Sequence, residues 1–356
     1  MTVTEQKVVL SGMRSTGKIH LGNYFGALKN WIELQGRYHC YYFAADWHAL
    51  TSDYADPSDI AANTVEMVTD WLAAGLDPDK AVIFIQSMVP DHAELHLLLS
   101  MITPLGWLER VPTYKEQIQQ LENKDLTTYG FLGYPVLQAV DIIIYRAHFV
   151  PVGEDQASHL EMSRELVRRF HHLYGQVVFP EPQILLTPTP KVPGIDGRKM
   201  SKSYGNAINL SDSPEEILAK CKQMFTDPQR LTRKDPGRPE VCNLYEFHKL
   251  MSPVDVQERV AHQCRAAEIG CVDDKKLLAQ IINEFLEPMR RRRAQLDRDT
   301  VFDILLEGSR KARERTAETM DMVRVVVRPD DRVDLGDGSI QQLHAKVRRG
   351  IDEDRG

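Results

Sequence analysis

In the first half of the chain, apolar residues fall into two patterns by turns. Short continuous runs at 7–12 ("KVVLSG"), 40–46 ("CYYFAAD") and 80–87 ("KAVIFIQS") predict strands buried on both faces. Between them, "LGNYFGALKNWIELQ", "SDIAANTVEMVTDWLAAG" and "DHAELHLLLSMI" have helical spacing. The second of these follows Pro57 and stops at Gly75, with Ser58 as its expected N-cap. Strand and helix in alternation predict an α/β fold, a parallel sheet covered by helices. From about 103 to 145 the pattern turns helical and interrupts the alternation. "FVPV" at 149–152 resumes the sheet, and the helix "DQASHLEMSRELVRRFHHLYG" follows.

After Asn206 helical spacing takes over. "SPEEILAKCKQM", "VDVQERVAHQCRAAEIG", "KKLLAQIINEFLEPMRRRRAQL" and "GSRKARERTAETMDMVRVVV" all fit it. A domain boundary is expected near Leu210. From about 329 the chain is charged and glycine-containing, as tails are.

Composition adds limits. The chain has 356 residues, 42% hydrophobic and 27% charged, which is room for two domains. No run of about 20 apolar residues is present to span a membrane. The first residues lack a basic stretch followed by an apolar one, so the cytoplasm is the expected location. Five cysteines, an odd count in a long chain, argue against a disulfide framework. The net charge of −7 argues against a protein that coats nucleic acid indiscriminately. It leaves room for a local contact, and Arg290, Arg291, Arg292 and Arg293 are candidates for phosphates; a solvated helix end is the plainer reading.

Two segments carry candidate chemistry. "SGMRSTGKIHLGNYFGA" ends the first strand, with Gly12, Gly17 and Gly22 spaced through it and His20 and Asn23 opening the next helix. Open α/β sheets bind phosphates at such turns, where free N–H groups face the ligand. It is neither a P-loop nor a G-x-G-x-x-G fingerprint. "GRKMSKSYGN" packs three cations into five residues with no regular periodicity, which predicts a mobile surface loop. A third feature is a polar face on an apolar helix: Tyr134, Gln138, Asp141 and Tyr145 at i, i+4, i+7 and i+11. A buried carboxylate needs partners. Either the face packs against other polar groups, or it forms a pocket whose carboxylate accepts a substrate hydrogen bond. Indole N–H and tyrosine hydroxyl would both suit it.

"HLGN" after the first strand and "KMSKS" after the last resemble the paired signatures of class I aminoacyl-tRNA synthetases, His-Ile-Gly-His and Lys-Met-Ser-Lys-Ser. Asn23 replaces the final histidine of the first, a variation that the tryptophan and tyrosine subclass tolerates. "VPVGEDQ" at 150–156, leading into "HLEMSRELVRRF", and "FAADWHALT" around His48 resemble the bacterial tryptophanyl-tRNA synthetases. The resemblance runs from about 7 to 328.

It implies a Rossmann-type catalytic domain over 1–210 with a helical dimerisation insertion at about 103–145. An all-α domain over 211–328 would bind the tRNA anticodon, and 329–356 would be a charged tail. The implied reaction joins L-tryptophan to tRNA(Trp) through tryptophanyl-adenylate, with ATP and Mg2+, in a homodimer. Lys199 and Lys202 would meet the β- and γ-phosphates, on a loop shaped by Met200, Ser201 and Ser203. His20 and Asn23 would contact the α/β-phosphate region and ribose, and Gly22 would lie against the adenine side. Arg14, Ser15 and Thr16 would line the ATP site, Gly153, Glu154 and Asp155 would hold the nucleotide, and Val192 would offer its backbone to adenine. Gln156 would take the substrate amino or carboxylate group. Tyr134, Gln138, Asp141 and His48 would shape the side-chain pocket.

Two departures stand out. Many relatives carry a phosphate-touching lysine after "FKE"; here "TYKEQ" has Gln117, with Lys115 two places earlier. Some relatives bind an iron–sulfur cluster on a cysteine frame ending C-x-x-C. Here Cys242, Cys264 and Cys271 match, but Asp274 stands in the fourth place, so buried cysteines without a cluster are favoured. The alternatives are a tyrosyl-tRNA synthetase and a non-charging tryptophan-binding paralogue; intact HLGN and KMSKS argue against the second.

Overall fold

The computed structural model describes residues 6–111, 127–152, 157–186 and 191–327. Among these, β1 (Val8–Arg14), β2 (His39–Ala45), β3 (Ala81–Ile85) and β4 (Phe149–Val152) form where the apolar runs predict them. A fifth strand, β5 (Gln183–Leu186), was not foreseen. Its four residues give too short a run to stand out from loop, and at the sheet edge Leu186 lies 65% exposed. All pairs are parallel, in the order β3-β2-β1-β4-β5. The chain winds one way from β1 to β3 and then crosses to β4. The switch point therefore lies between β1 and β4, where ligands settle beyond the carboxyl ends of strands in open α/β sheets.

Helix α1 (Leu21–Asn23), a π-turn at Tyr24–Leu28 and α2 (Lys29–Leu34) follow β1. Helices α3 (Asp46–Asp53) and α4 (Ile60–Ala74) follow β2, and α5 (Asp91–Ser100) follows β3. The interrupting stretch holds α6 (Leu105–Leu108), α7 (Tyr129–Leu132) and α8 (Tyr134–Ile144); α9 (Ala157–Tyr174) bridges β4 and β5. Then come α10 (Pro214–Gln223), α11 (Asn243–Met251), α12 (Val254–Arg265), α13 (Cys271–Arg293) and α14 (Arg298–Val327). One expected cap is corrected. Ser58 donates its hydroxyl to Asp56 at 2.6 Å, and Asp59 takes the N-cap position of α4. Ser213 and Glu216 do form a capping box at α10.

Successive strand residues face opposite sides. Val9, Tyr42 and Ile83 join Trp31 and Trp71 on one face, in a core that continues into Phe247, Leu278 and Leu286. Leu10, Phe43 and Phe84 pack on the other with Val140, Ile143 and Leu166. The last helix returns to this second face, adding Ala312 and Met320. It lies so close to β3 that a Cβ on Gly308 would stand 1.8 Å from the Ile83 carbonyl oxygen. Ser309 Oγ accepts the Ile85 N–H at 3.3 Å beside it.

The arginine run is not a free cationic face. Arg290 donates to the carbonyl oxygens of Asp212 and Asn283, Arg292 to that of Ala73 at 2.6 Å, and Arg293 to Asp70 and Glu66. Arg291 and Arg292 are exposed, and Glu287 pairs with Arg291 at 2.7 Å. Three of the four candidate phosphate contacts thus already have partners on other parts of the fold.

Candidate active site

The turn after β1 and the KMSKS segment are joined by backbone pairing. Leu21 N–H donates to Ile208 O at 2.9 Å, and Leu210 N–H to Ile19 O at 2.8 Å. His20 Nδ1 accepts the Asn23 N–H, and Asn23 Oδ1 accepts the His20 N–H, both at 3.2 Å. The two signature residues therefore cap each other. A Cβ on Gly22 would meet the His20 ring at 2.9 Å, so this turn needs its glycine.

KMSKS is more ordered than an irregular loop. Met200 N–H donates to Val192 O at 3.1 Å, and Lys202–Tyr204 forms a 3-10 turn. Asn206 holds the segment from inside: Oδ1 accepts Ser201 N–H at 2.8 Å, and Nδ2 donates to Asp196 and to Lys199 O. Asn243 on α11 adds donors to Gly194 O and Ile195 O. Met200 is buried, while Lys199 and Ser203 are exposed. Lys202 instead reaches across and donates to Thr16 O at 2.7 Å. Burial pulls its ammonium down to about 8, and burial together with Lys202 pulls His20 down to about 4. Both groups give up charge readily, as expected where an anion would restore it.

Of the neighbouring residues, Arg14 donates to Ser52 Oγ and keeps a buried, unpartnered Nε. Ser15 is buried, its hydroxyl accepting from Thr64 at 2.8 Å. Gly153, Glu154, Asp155, Gln156, Lys115 and Gln117 lie outside the described residues.

The polar face of α8 closes on the ends of β2 and β3. Asp141 is 2% exposed. Its Oδ2 accepts from His48 Nε2, and its Oδ1 from His92 Nδ1 and Gln86 Nε2, each at 2.7 Å. Tyr145, one place past α8, meets His92 Nε2 at 2.8 Å, and Tyr134 stands edge-on to His48 at 4.8 Å. Burial pushes the Asp141 carboxyl up, but the two imidazoles hold it below its ordinary value. A carboxylate accepts only, so His48 donates to it through Nε2. His48 Nδ1, Gln86 Oε1 and Gln138 Oε1 are all buried and without a partner. What this wall lacks is a donor.

Of the residues expected to shape the side-chain pocket, Asp141, His48 and Tyr134 come together here, and Gln86 and His92, which were not expected, join them; Asn206 and Asn243, which hold the KMSKS segment, were not expected either. A signal existed for Gln86, a polar residue at the carboxyl end of the apolar run "AVIFI". The cysteine frame does not fit a cluster. Arg230 Nη1 points at the thiols of Cys264 and Cys271, at 3.6 and 3.8 Å, and Asp274 turns to His248 Nε2 at 3.0 Å. Among the described residues no group of three or more His, Cys, Asp or Glu could hold a metal ion.

A family model for tRNA synthetases class I (W and Y) matches residues 2–287. The tryptophan–tRNA ligase of Thermotoga maritima is 52% identical, over 89% of this chain and 97% of its own. That of Aquifex aeolicus is 44% identical, over 89% and 98%. The crystal structure of Campylobacter jejuni tryptophanyl-tRNA synthetase, complexed with ADP and tryptophan, superposes with a TM-score of 0.82 at 31% identity, covering 89% of this chain and 98% of that one. With these relatives spanning nearly their whole length, the chain belongs to the class I tRNA synthetases of the tryptophan and tyrosine group, in its tryptophan–tRNA ligase branch.

Proposed function

We propose that this chain activates L-tryptophan with ATP and transfers it to the 3′ end of tRNA(Trp). The observation that carries this is the Lys202–Thr16 contact, which draws the KMSKS loop over the turn after β1. The substrate carboxylate attacks the α-phosphorus, the bond to the β-phosphate oxygen breaks, and pyrophosphate leaves with tryptophanyl-adenylate formed. The attacker is already ionised, so the protein supplies position and positive charge rather than a base. Lys199 and Lys202 would neutralise the leaving pyrophosphate, and Mg2+ would travel on the phosphates. Indole N–H would fill the donor gap around Asp141.

The catalytic unit would span 1–210, the tRNA-binding helices 211–328 and the tail 329–356. Leu97, Met101, Leu105 and Tyr129 are 58–70% exposed in or beside the helical insertion, which supports a homodimer formed there. Its tRNA partner would place the enzyme in the cytoplasm. Pyrophosphate exchange into ATP, measured with each of the twenty amino acids, tests the reading. Exchange dependent on tryptophan alone supports it; exchange with tyrosine, or with none, would overturn it.

A further inference from the structure

Asp70 lies in the middle of α4 and is 1% exposed. Its Oδ2 accepts the backbone N–H of Ile19 at 2.8 Å. Its Oδ1 accepts from Arg293 Nε, also at 2.8 Å, and Arg293 Nη2 bonds Glu66 at 2.6 Å. Ile19 immediately precedes His20, and its carbonyl is taken by Leu210. The last residue of α13 thus reaches, through one buried carboxylate, the peptide from which the His20–Asn23 cap hangs.

We propose that Arg293, acting through Asp70, is a positioning residue for the nucleotide side of the pocket. Burying an ion pair gives little net stability over an apolar pair. A neutral Asn or Gln would also accept the Ile19 N–H. What the charged pair adds is direction: Asp70 has one orientation that serves both Ile19 and Arg293, and it ties the register of the His20 turn to the seat of α13. That seat is fixed nearby by Arg292 on Ala73 O and by Phe285, whose ring stacks on Phe25 at 5.9 Å and meets Tyr24 edge-on at 5.4 Å. Tyr24 and Phe25 open the π-turn directly after Asn23. Asp70 also acts on Lys202 electrostatically, raising its proton affinity against the burial that lowers it. Asp141 is bonded by His48, Gln86 and His92 rather than by the Ile19 peptide, so the two substrates should separate in the test.

This rests on the His20–Asn23 turn being the nucleotide site. Tryptophan-dependent pyrophosphate exchange is therefore measured first in the unaltered chain; without it both readings fall. With it, Arg293→Met should raise the KM for ATP about tenfold or more and leave the KM for tryptophan within about twofold, because small misplacements near reacting atoms are costly. Arg293→Lys should recover most of that loss. Asp70→Asn keeps an acceptor for Ile19 but turns an amide toward Arg293, and should fall between them. Should Arg293→Met fail to fold, Asp70→Asn decides by the same split. An unchanged KM for ATP in folded Arg293→Met or Asp70→Asn, or equal rises for both substrates, would overturn the proposal.

Discussion

The ammonium of Lys202 donates to the carbonyl oxygen of Thr16 at 2.7 Å, across 186 positions of sequence. The carbonyl and the Thr16 hydroxyl, at 3.3 Å, offer partial negative charge where a triphosphate would offer full charge. Burial has already lowered the pKa of this ammonium to about 8, so an anion would be met by a poorly solvated cation.

Lys202→Ala should lower tryptophan-dependent exchange about a hundredfold or more, the usual loss for one contact to charge developing in the transition state. Tryptophan affinity, followed by calorimetry, should hardly change. An unaltered exchange rate would remove the loop from the mechanism.

His20 gives a pH signature in stability. Its folded-state pKa is depressed from 6.5 to about 4, burial being the larger cause and Lys202 the smaller. Between those values the unfolded chain binds a proton that the folded chain refuses, so stability should fall as pH drops from 6.5 towards 4. At about 1.4 kcal/mol per unit, the whole window is worth about 3 kcal/mol at most. Asp141, depressed from 3.8, loses its contribution only below that range. Urea unfolding at pH 7 and pH 5 should show the drop, and His20→Gln should shrink it. Equal pH dependence in both proteins would contradict the assignment.

Asp141→Asn should impair tryptophan binding while ATP binding holds. The amide presents a donor to at least one of His48, Gln86 and His92, all of which now donate. Leaving such a buried donor unmatched costs about 1–3 kcal/mol. The variant should therefore also melt earlier, and its preference for tryptophan over tyrosine should narrow. Identical preference before and after would exclude Asp141 from the side-chain pocket.

What the sequence made legible follows physical range. Apolar runs reported β1 to β4 because burial on both faces leaves few polar positions; β5 is too short and too exposed to show this. The i, i+4, i+7 spacing placed Asp141 on the right face of α8. Nothing local could report that His92 and Gln86 would meet it, because both contacts cross tertiary structure from another element. The partners of the arginine run were hidden for the same reason. Four contiguous cations look like a surface for phosphates until Asp70, Ala73 and Asp212, over 70 residues away in sequence, prove to be their partners.

The cysteine frame carries the last prediction. Arg230 bonds Ile269 O at 2.7 Å and Arg233 O at 3.2 Å, and its Nη1 faces both the Cys264 and Cys271 thiols. A guanidinium in that place ties several chain segments to one centre. Gly237 is packed so closely that a Cβ there would come 2.5 Å from Cys264 Sγ, which leaves no slack for added atoms on that side. The order of costs should follow from these contacts. Cys264→Ser and Cys271→Ser should each cost about 1 kcal/mol or less, as ordinary packing changes do. Arg230→Ala should cost more, since it strands two backbone carbonyls as well as the thiols. Exchange activity should survive these two changes, because both thiols face Arg230 rather than the His20 turn or the KMSKS loop. Anaerobically purified protein should lack the visible thiolate-to-iron absorption. Stoichiometric iron and sulfide, or a cysteine variant less stable than Arg230→Ala, would show that Arg230 is not what holds this corner together.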